Sequence, residues 1–172
     1  MSAFNKTPFS IIYDSFFTRV TDDMYMEMTE ADTYSQLQDL LINSISYFEF
    51  PKFDIFDYEL GYLDESEEPA TWVGGFFNTI LSQEEINILS MYMVVEWFSI
   101  QLATTENTRM KYSSSDFKFT SQANHMAKLK VMIDSYKQNG LHLQRLYSRR
   151  TKSSSGSVQS TMNKLAGFKN DH

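Results

Sequence analysis

The sequence predicts a mainly α-helical fold: a helical bundle with a β-hairpin inserted at about 53–81 and an extended basic C-terminal arm over 148–172. Three observations predict it. Apolar residues recur at helical spacing in three stretches, and a fourth stretch is apolar nearly all round. Only the run from Phe53 to Tyr62 alternates with a period of two. Past Ser148 every apolar period disappears and the composition turns to Ser, Lys and Arg, as in segments that do not fold alone.

The first helix is predicted to open at Thr7-Pro8, with Thr as the cap and Pro at the first helical position. Phe9, Ile12, Tyr13, Phe16, Phe17 and Val20 form its apolar face. A second helix begins near Thr29, where Thr-Glu-Ala-Asp approximates a capping box. Tyr34, Leu37, Leu41, Ile45 and Phe48 line its face, and Pro51 is the expected stop. Phe53 to Tyr62 then reads as one strand with Phe56 as a bulge. The acidic turn from Asp64 to Glu68 leads to a return strand, around Thr71–Val73 or Phe76–Leu81, with Gly74-Gly75 as a kink.

Ser82-Gln83-Glu84-Glu85 is a capping box, and the helix after it is expected to run to about Thr104. Its apolar residues surround it, so it belongs in the middle of the protein or under neighbouring subunits. It is short for a membrane span and is interrupted by Asn87, Ser90, Glu96, Ser99 and Gln101, so a core helix is expected. Residues 105–119 read as a loop or irregular strand. Thr120 is the expected cap of a final helix whose seam is Met126, Leu129, Ile133, Tyr136, Gly140, Leu143 and Tyr147. Asn139-Gly140 reads as a C-cap or hinge within it.

The 172 residues suit one domain, 1–147, plus the arm, and the chain is long enough to bury a core without cross-links. Fourteen Phe, ten Tyr and ten Met make that core aromatic and adaptable. The absence of Cys excludes disulfides, thiolate metal sites and a Cys nucleophile. MSAFNKTPFS has no charged-then-apolar leader pattern, so a soluble protein is expected.

The net charge of −7 conceals an uneven distribution. Residues 1–106 hold 19 acids against three bases, whereas 107–172 hold 12 bases against three acids. Such a division suits either mutual neutralisation or two different partners.

No motif for catalysis stands out. His125, His142 and His172 form no metal-ligand spacing, and there is no nucleophile elbow or Gly-rich phosphate loop. A triad assembled from distant positions remains open from spacing, but a non-enzyme without metal or cofactor is the expectation. The acidic run at Asp64–Glu68 lacks the calcium-loop pattern and reads more simply as a solvated hairpin tip. Glu96 is either a buried functional carboxylate or a residue that faces water or pairs with a lysine of the last helix.

The C-terminal bases Arg145, Arg149, Arg150, Lys152, Lys164 and Lys169 could meet phosphates, an acidic protein surface or only water. Met162, Leu165 and Phe168 at i, i+3 and i+6 favour protein docking, since a solvating tail needs no large apolar groups.

Three stretches resemble the head-to-tail connector, or neck adaptor, proteins of tailed bacteriophages: FNKTPFSIIYDSFF at the N-terminus, SQEEINILSMYMVVEWFSIQL over 82–102, and SSSDFKFTSQANHMAKLKVMIDSYKQN over 113–139. The resemblance spans about two-thirds of the chain in kind and implies a virion protein without enzymatic activity. Copies would form a homo-oligomeric ring, commonly of twelve, that continues the DNA channel below the portal protein and receives a downstream neck or tail protein. DNA would pass without specific binding, no membrane would be involved, and the protein would reside in host cytoplasm before assembly. The resemblance makes Arg145, Arg149, Arg150, Lys152, Met162, Lys164, Leu165 and Phe168 a partner-docking arm. It makes Asp54, Asp57, Glu59, Asp64, Glu65, Glu67 and Glu68 a channel or inter-subunit surface, where acids would repel DNA phosphates. The alternative is an acidic DNA mimic or regulatory binding protein without catalytic activity.

Overall fold

The structure, a computed structural model, describes residues 6–20, 27–52, 54–66, 68–111, 119–152 and 158–160, excepting the side chains of 108–111, 119–122, 151, 152 and 158–160. The protein is mostly helical, with a few short antiparallel strands. The helices are α1 (Phe9–Phe17), α2 (Glu30–Ile45), α3 (Gln83–Lys111) and α4 (Phe119–Ser148). The all-round apolar helix α3 lies at the centre and packs on α1, α2 and α4. Gln83–Asn107 is long and apolar enough to cross a membrane. Here Ile88, Leu89, Met93, Val94 and Val95 are instead wholly enclosed by protein.

Most of the expected faces of α1 and α2 point into this core, Phe9, Ile12, Tyr13 and Phe16 from one and Leu37, Leu41 and Ile45 from the other, but Phe17, expected on the first, is exposed. Two capping boxes form locally. Thr29 accepts the N–H of Asp32 at 3.2 Å, and Ser82 accepts that of Glu85 at 3.3 Å while Glu85 takes the N–H of Ser82 at 2.8 Å. Thr7 does not cap α1. Pro8 holds that position without a side-chain bond. The buried Thr7 hydroxyl instead donates to the carbonyl of Thr79 at 2.9 Å and accepts the N–H of Leu81 at 2.8 Å.

The single strand expected over 53–62 is broken. Asp54 accepts the N–H of Phe56 at 3.0 Å, which makes a turn, and the buried Ile55 fills the core beside it. The chain then forms β2 (Tyr58–Glu59) and β3 (Tyr62–Asp64), which pair with different partners. A sheet of order β1-β5-β2 sets β1 (Thr7–Pro8) and β2 either side of β5 (Phe76–Phe77), whereas β3 pairs with β4 (Thr71–Val73). The split falls at two glycines. A Cβ on Gly75 would lie 2.7 Å from the nitrogen of Gly61, and one on Gly61 would lie 2.6 Å from the carbonyl of Val73. Gln38 of α2 grips Gly61, accepting its N–H at 2.7 Å.

Three helix limits differ from expectation. α2 stops at Ile45 rather than near Pro51, because side chains of α4 claim the following backbone: Gln144 donates to the Tyr47 carbonyl and accepts the Glu49 N–H, at 2.8 and 2.9 Å. α3 continues to Lys111, past the expected end at Thr104. Thr105 returns its hydroxyl to the Gln101 carbonyl at 2.9 Å, so it makes no competing turn, and Lys130 pairs with Glu106 at 3.5 Å. α4 runs unbroken through Asn139-Gly140, which is neither cap nor hinge. Gly140 is glycine because Tyr92 packs there: a Cβ would sit 2.7 Å from the ring carbon Cζ.

Candidate docking surfaces

The arm leaves the body at a polar knot. Glu85, in the first turn of α3, is wholly buried, and its carboxylate accepts both the N–H and the hydroxyl of Ser82 at 2.8 Å. Its other oxygen accepts the Tyr147 hydroxyl. That hydroxyl in turn accepts the N–H of Lys52 at 2.7 Å. The Lys52 ammonium lies 4.3 Å from the centre of the Tyr147 ring and donates to the carbonyl of Arg150. Arg150 pairs with Glu84. A buried carboxylate with its oxygens occupied by donors is the condition under which such a group is tolerated. The knot therefore fixes the last turn of α4, and with it the point of departure of the arm.

A second set of polar contacts lies one turn back along α4. Gln144 donates to the Tyr92 hydroxyl at 2.6 Å, Tyr92 stacks on Tyr47 with centroids 5.2 Å apart, and Tyr47 donates to Glu96 at 2.6 Å. Glu96 thus pairs with a tyrosine of the segment after α2. The sequence reading missed Tyr47, Tyr92, Gln144 and Lys52 as a group. The available signal was Tyr at core positions, where a buried hydroxyl requires a partner.

The docking-arm residues fall into distinct places. Arg145 and Arg149 are exposed. Arg150 is half-buried and already engaged by Glu84, so its charge belongs to the knot rather than to a free arm. Lys152 lies in β6 (Arg150–Lys152), which pairs antiparallel with β7 (Val158–Ser160). The start of the arm is thus a short ladder, where no regular structure was expected. Met162, Lys164, Leu165 and Phe168 lie outside the described residues, as does Glu67.

The acidic residues lie in and around the strands β2 to β4. Asp54, Asp57, Glu59, Glu65 and Glu68 are exposed, and Asp64 is partly so. Several also have structural work. Asp57 accepts from the Asn78 side chain at 2.9 Å, and Glu59 pairs with Lys6 at 3.7 Å. The hydroxyl and N–H of Ser66, at 2.6 and 2.9 Å, hold the Asp64 carboxyl below the usual carboxylate range. Large apolar groups stand among these acids: Phe56, Leu60, Tyr62 and Ile80 are all more than half exposed. Beside them opens a cavity of about 350 Å³ walled by Phe9, Tyr13, Tyr34, Trp72 and Phe76, with Lys6 at 3.7 Å over the Phe76 ring. On α4, Val131 and Met132 are exposed near Lys128 and Lys130. Apolar groups rimmed by charge at both ends match the anatomy of protein–protein contact surfaces.

Four tyrosines are held protonated beyond their ordinary range. Burial raises Tyr13, Tyr92 and Tyr147, reinforced at Tyr13 by Asp39 and at Tyr147 by Glu85 and opposed at Tyr92 by the Gln144 bond. Tyr47 is pushed up to about 12, first by its hydrogen bond to Glu96 and then by burial. A raised folded-state value means stability that is complete below the unfolded value of about 10 and is lost as pH rises through the folded one. The stability that these tyrosines contribute is therefore expected to fall above about pH 10. A phenolate absorbance titration at about pH 11 should show Tyr13, Tyr47 and Tyr147 un-ionised in the native protein and ionised in denaturant.

Comparison with protein-family models, with characterised proteins and with solved structures finds no match for this chain.

Proposed function

We propose that the protein is a structural component of a tailed-phage neck: a helical bundle with an inserted hairpin and a C-terminal arm, assembling as a ring that joins the portal to the tail. It performs no catalytic step, and the ring continues the DNA channel. The observation that carries this reading is the division of charge along the fold. Exposed acids are frequent along α2 (Glu30, Asp32, Asp39) and the strand-bearing segment (Asp54, Asp57, Glu59, Glu65, Glu68), whereas Lys128, Arg145 and Arg149 are exposed on and just beyond α4. In a ring of identical subunits the acidic side of one copy attracts the basic side of the next, and the apolar groups within each patch supply burial. The arm docks on the portal, where Lys164 and Lys169 pair with acids and Met162, Leu165 and Phe168 bury apolar surface.

Removal of residues 161–172 tests this. The truncated chain should keep its helical circular dichroism and melting temperature yet fail to co-assemble with the portal protein. Undiminished co-assembly would contradict the docking role.

The same exposed acids favour a second reading, an acidic mimic of nucleic acid that sequesters a basic partner. That protein would keep its activity without residues 161–172 and lose it when Asp64, Glu65 and Glu68 are replaced by their amides.

A further inference from the structure

We infer that the outward face of α4 carrying Lys128, Val131 and Met132 docks on the aromatic cavity beside α1, α2 and β4 of a second copy of this chain, so that copies join head to tail. The inference rests on the reading that copies associate, and it names the two faces that meet.

The cavity, about 350 Å³, is walled by rings that support one another. Tyr34 stacks on Trp72 with centroids 6.1 Å apart, and Tyr13 lies 6.3 Å from Tyr34 and 6.4 Å from Phe9. Gly74 also lines it, and there an added Cβ would meet nothing within 4 Å. The cavity is open on that side, and the Gly74 backbone lies outside the left-handed region.

The surroundings of the cavity are acidic. Lys6 in the wall is paired with Glu59 at 3.7 Å. On α1, Asp14 follows Ser10 of the wall by one turn; on α2, Glu30 precedes Tyr34 by one turn; both acids are exposed. Asp39 is exposed too, and after burial it is the next influence holding the Tyr13 hydroxyl protonated, which places it close to the cavity.

α4 supplies the complement. Asn124, Lys128, Val131, Met132, Ser135 and Asn139 share one strip of the helix, and all are exposed. Val131 is 68% and Met132 41% exposed. Lys128 is the charge on that strip. Asp134 is turned about 120° from it round the helix, and Lys130 faces Glu106 of α3. Met132 is unbranched and polarisable, so it can follow an irregular aromatic wall with its sulfur against ring edges. Both patches are open in the folded chain, so they cover each other only between copies. A contact between two different patches is heterologous and repeats from copy to copy until it closes as a ring.

Two substitutions break one face each. Gly74→Phe plugs the open side of the cavity, and Met132→Asp sets a charge of the rim's own sign on the strip. In sedimentation of the full chain, the wild type should gain mass with concentration, and each variant alone should associate at least about tenfold more weakly. Mixed, the two variants should form a one-to-one dimer and stop, because one intact pair of faces remains. Lys128→Glu should weaken association about two- to fivefold, less in high salt. An optical readout needs no change in the cavity. The chain has two tryptophans, so with Trp97→Phe the emission reports Trp72 alone. That emission should shift to the blue on association, and Met132→Asp should abolish the shift.

A strictly monomeric wild type, or variants that associate as the wild type does, would overturn the inference. Association kept by Met132→Asp but lost by Gly74→Phe would overturn it too, and would assign the cavity to a contact with itself. Head-to-tail association that forms no ring on the portal would leave this inference standing and remove the neck reading. A portal-seated ring formed by both variants would do the reverse.

Discussion

Replacing Glu85 by alanine should cost about 2–4 kcal/mol, because three donors lose their acceptor at once and one of them, the Tyr147 hydroxyl, is buried. The Ser82 N–H and hydroxyl and the Tyr147 hydroxyl all donate to this carboxylate. A buried donor left without an acceptor costs about 1–3 kcal/mol, and a lost helix cap about 1 kcal/mol. The terms overlap, which sets the range below their sum. For a domain of this size the melting temperature should fall by about 2–4 °C per kcal/mol. Tyr147→Phe should cost less, since it removes one donor to Glu85 and orphans only the Lys52 N–H. If both variants melt with the wild type, the knot does not hold α4 in place.

The second large effect is at Gly140, where the sign distinguishes two accounts. In an exposed helix interior, Gly→Ala is stabilising by about 1 kcal/mol. Here a Cβ would approach the Tyr92 ring to 2.7–2.9 Å. That ring cannot retreat: it is buried, stacked on Tyr47 and bonded by Gln144. Overpacking of this kind costs about 1–3 kcal/mol, so Gly140→Val should destabilise by about 3 kcal/mol and Gly140→Ala by less. In a Tyr92→Leu background the obstacle is gone, and Gly140→Ala should become stabilising. A rise in melting temperature for Gly140→Ala in the native background would contradict the packing reading.

What the sequence made legible follows the reach of each interaction along the chain. The capping boxes at Thr29 and Ser82 depend on residues three apart, and both formed as expected. The seam of α4 was legible too, because Met126, Leu129 and Ile133 repeat at helical spacing and all are buried. Thr7 was misjudged because the partners of its hydroxyl, Thr79 and Leu81, are more than 70 residues away. Gly140 looked like a break because its reason, Tyr92, belongs to another helix. The strand over 53–62 divided at Gly61 because of a backbone contact with Gly75, which no period of apolar residues records. The surfaces were legible in composition only. Charge counts separated an acidic body from a basic end, but did not show Arg150 tied to Glu84.

That last contact alters the picture of the arm. Its basic base is anchored through Arg150, and a short ladder follows. The measurement that bears most directly on the neck reading is the mass of the particle formed when the purified chain meets the portal protein, read by mass photometry and by negative-stain images. The account predicts a closed ring of about twelve copies of this 20.1-kDa chain seated on the portal. A chain that stays monomeric beside complete portals would contradict it.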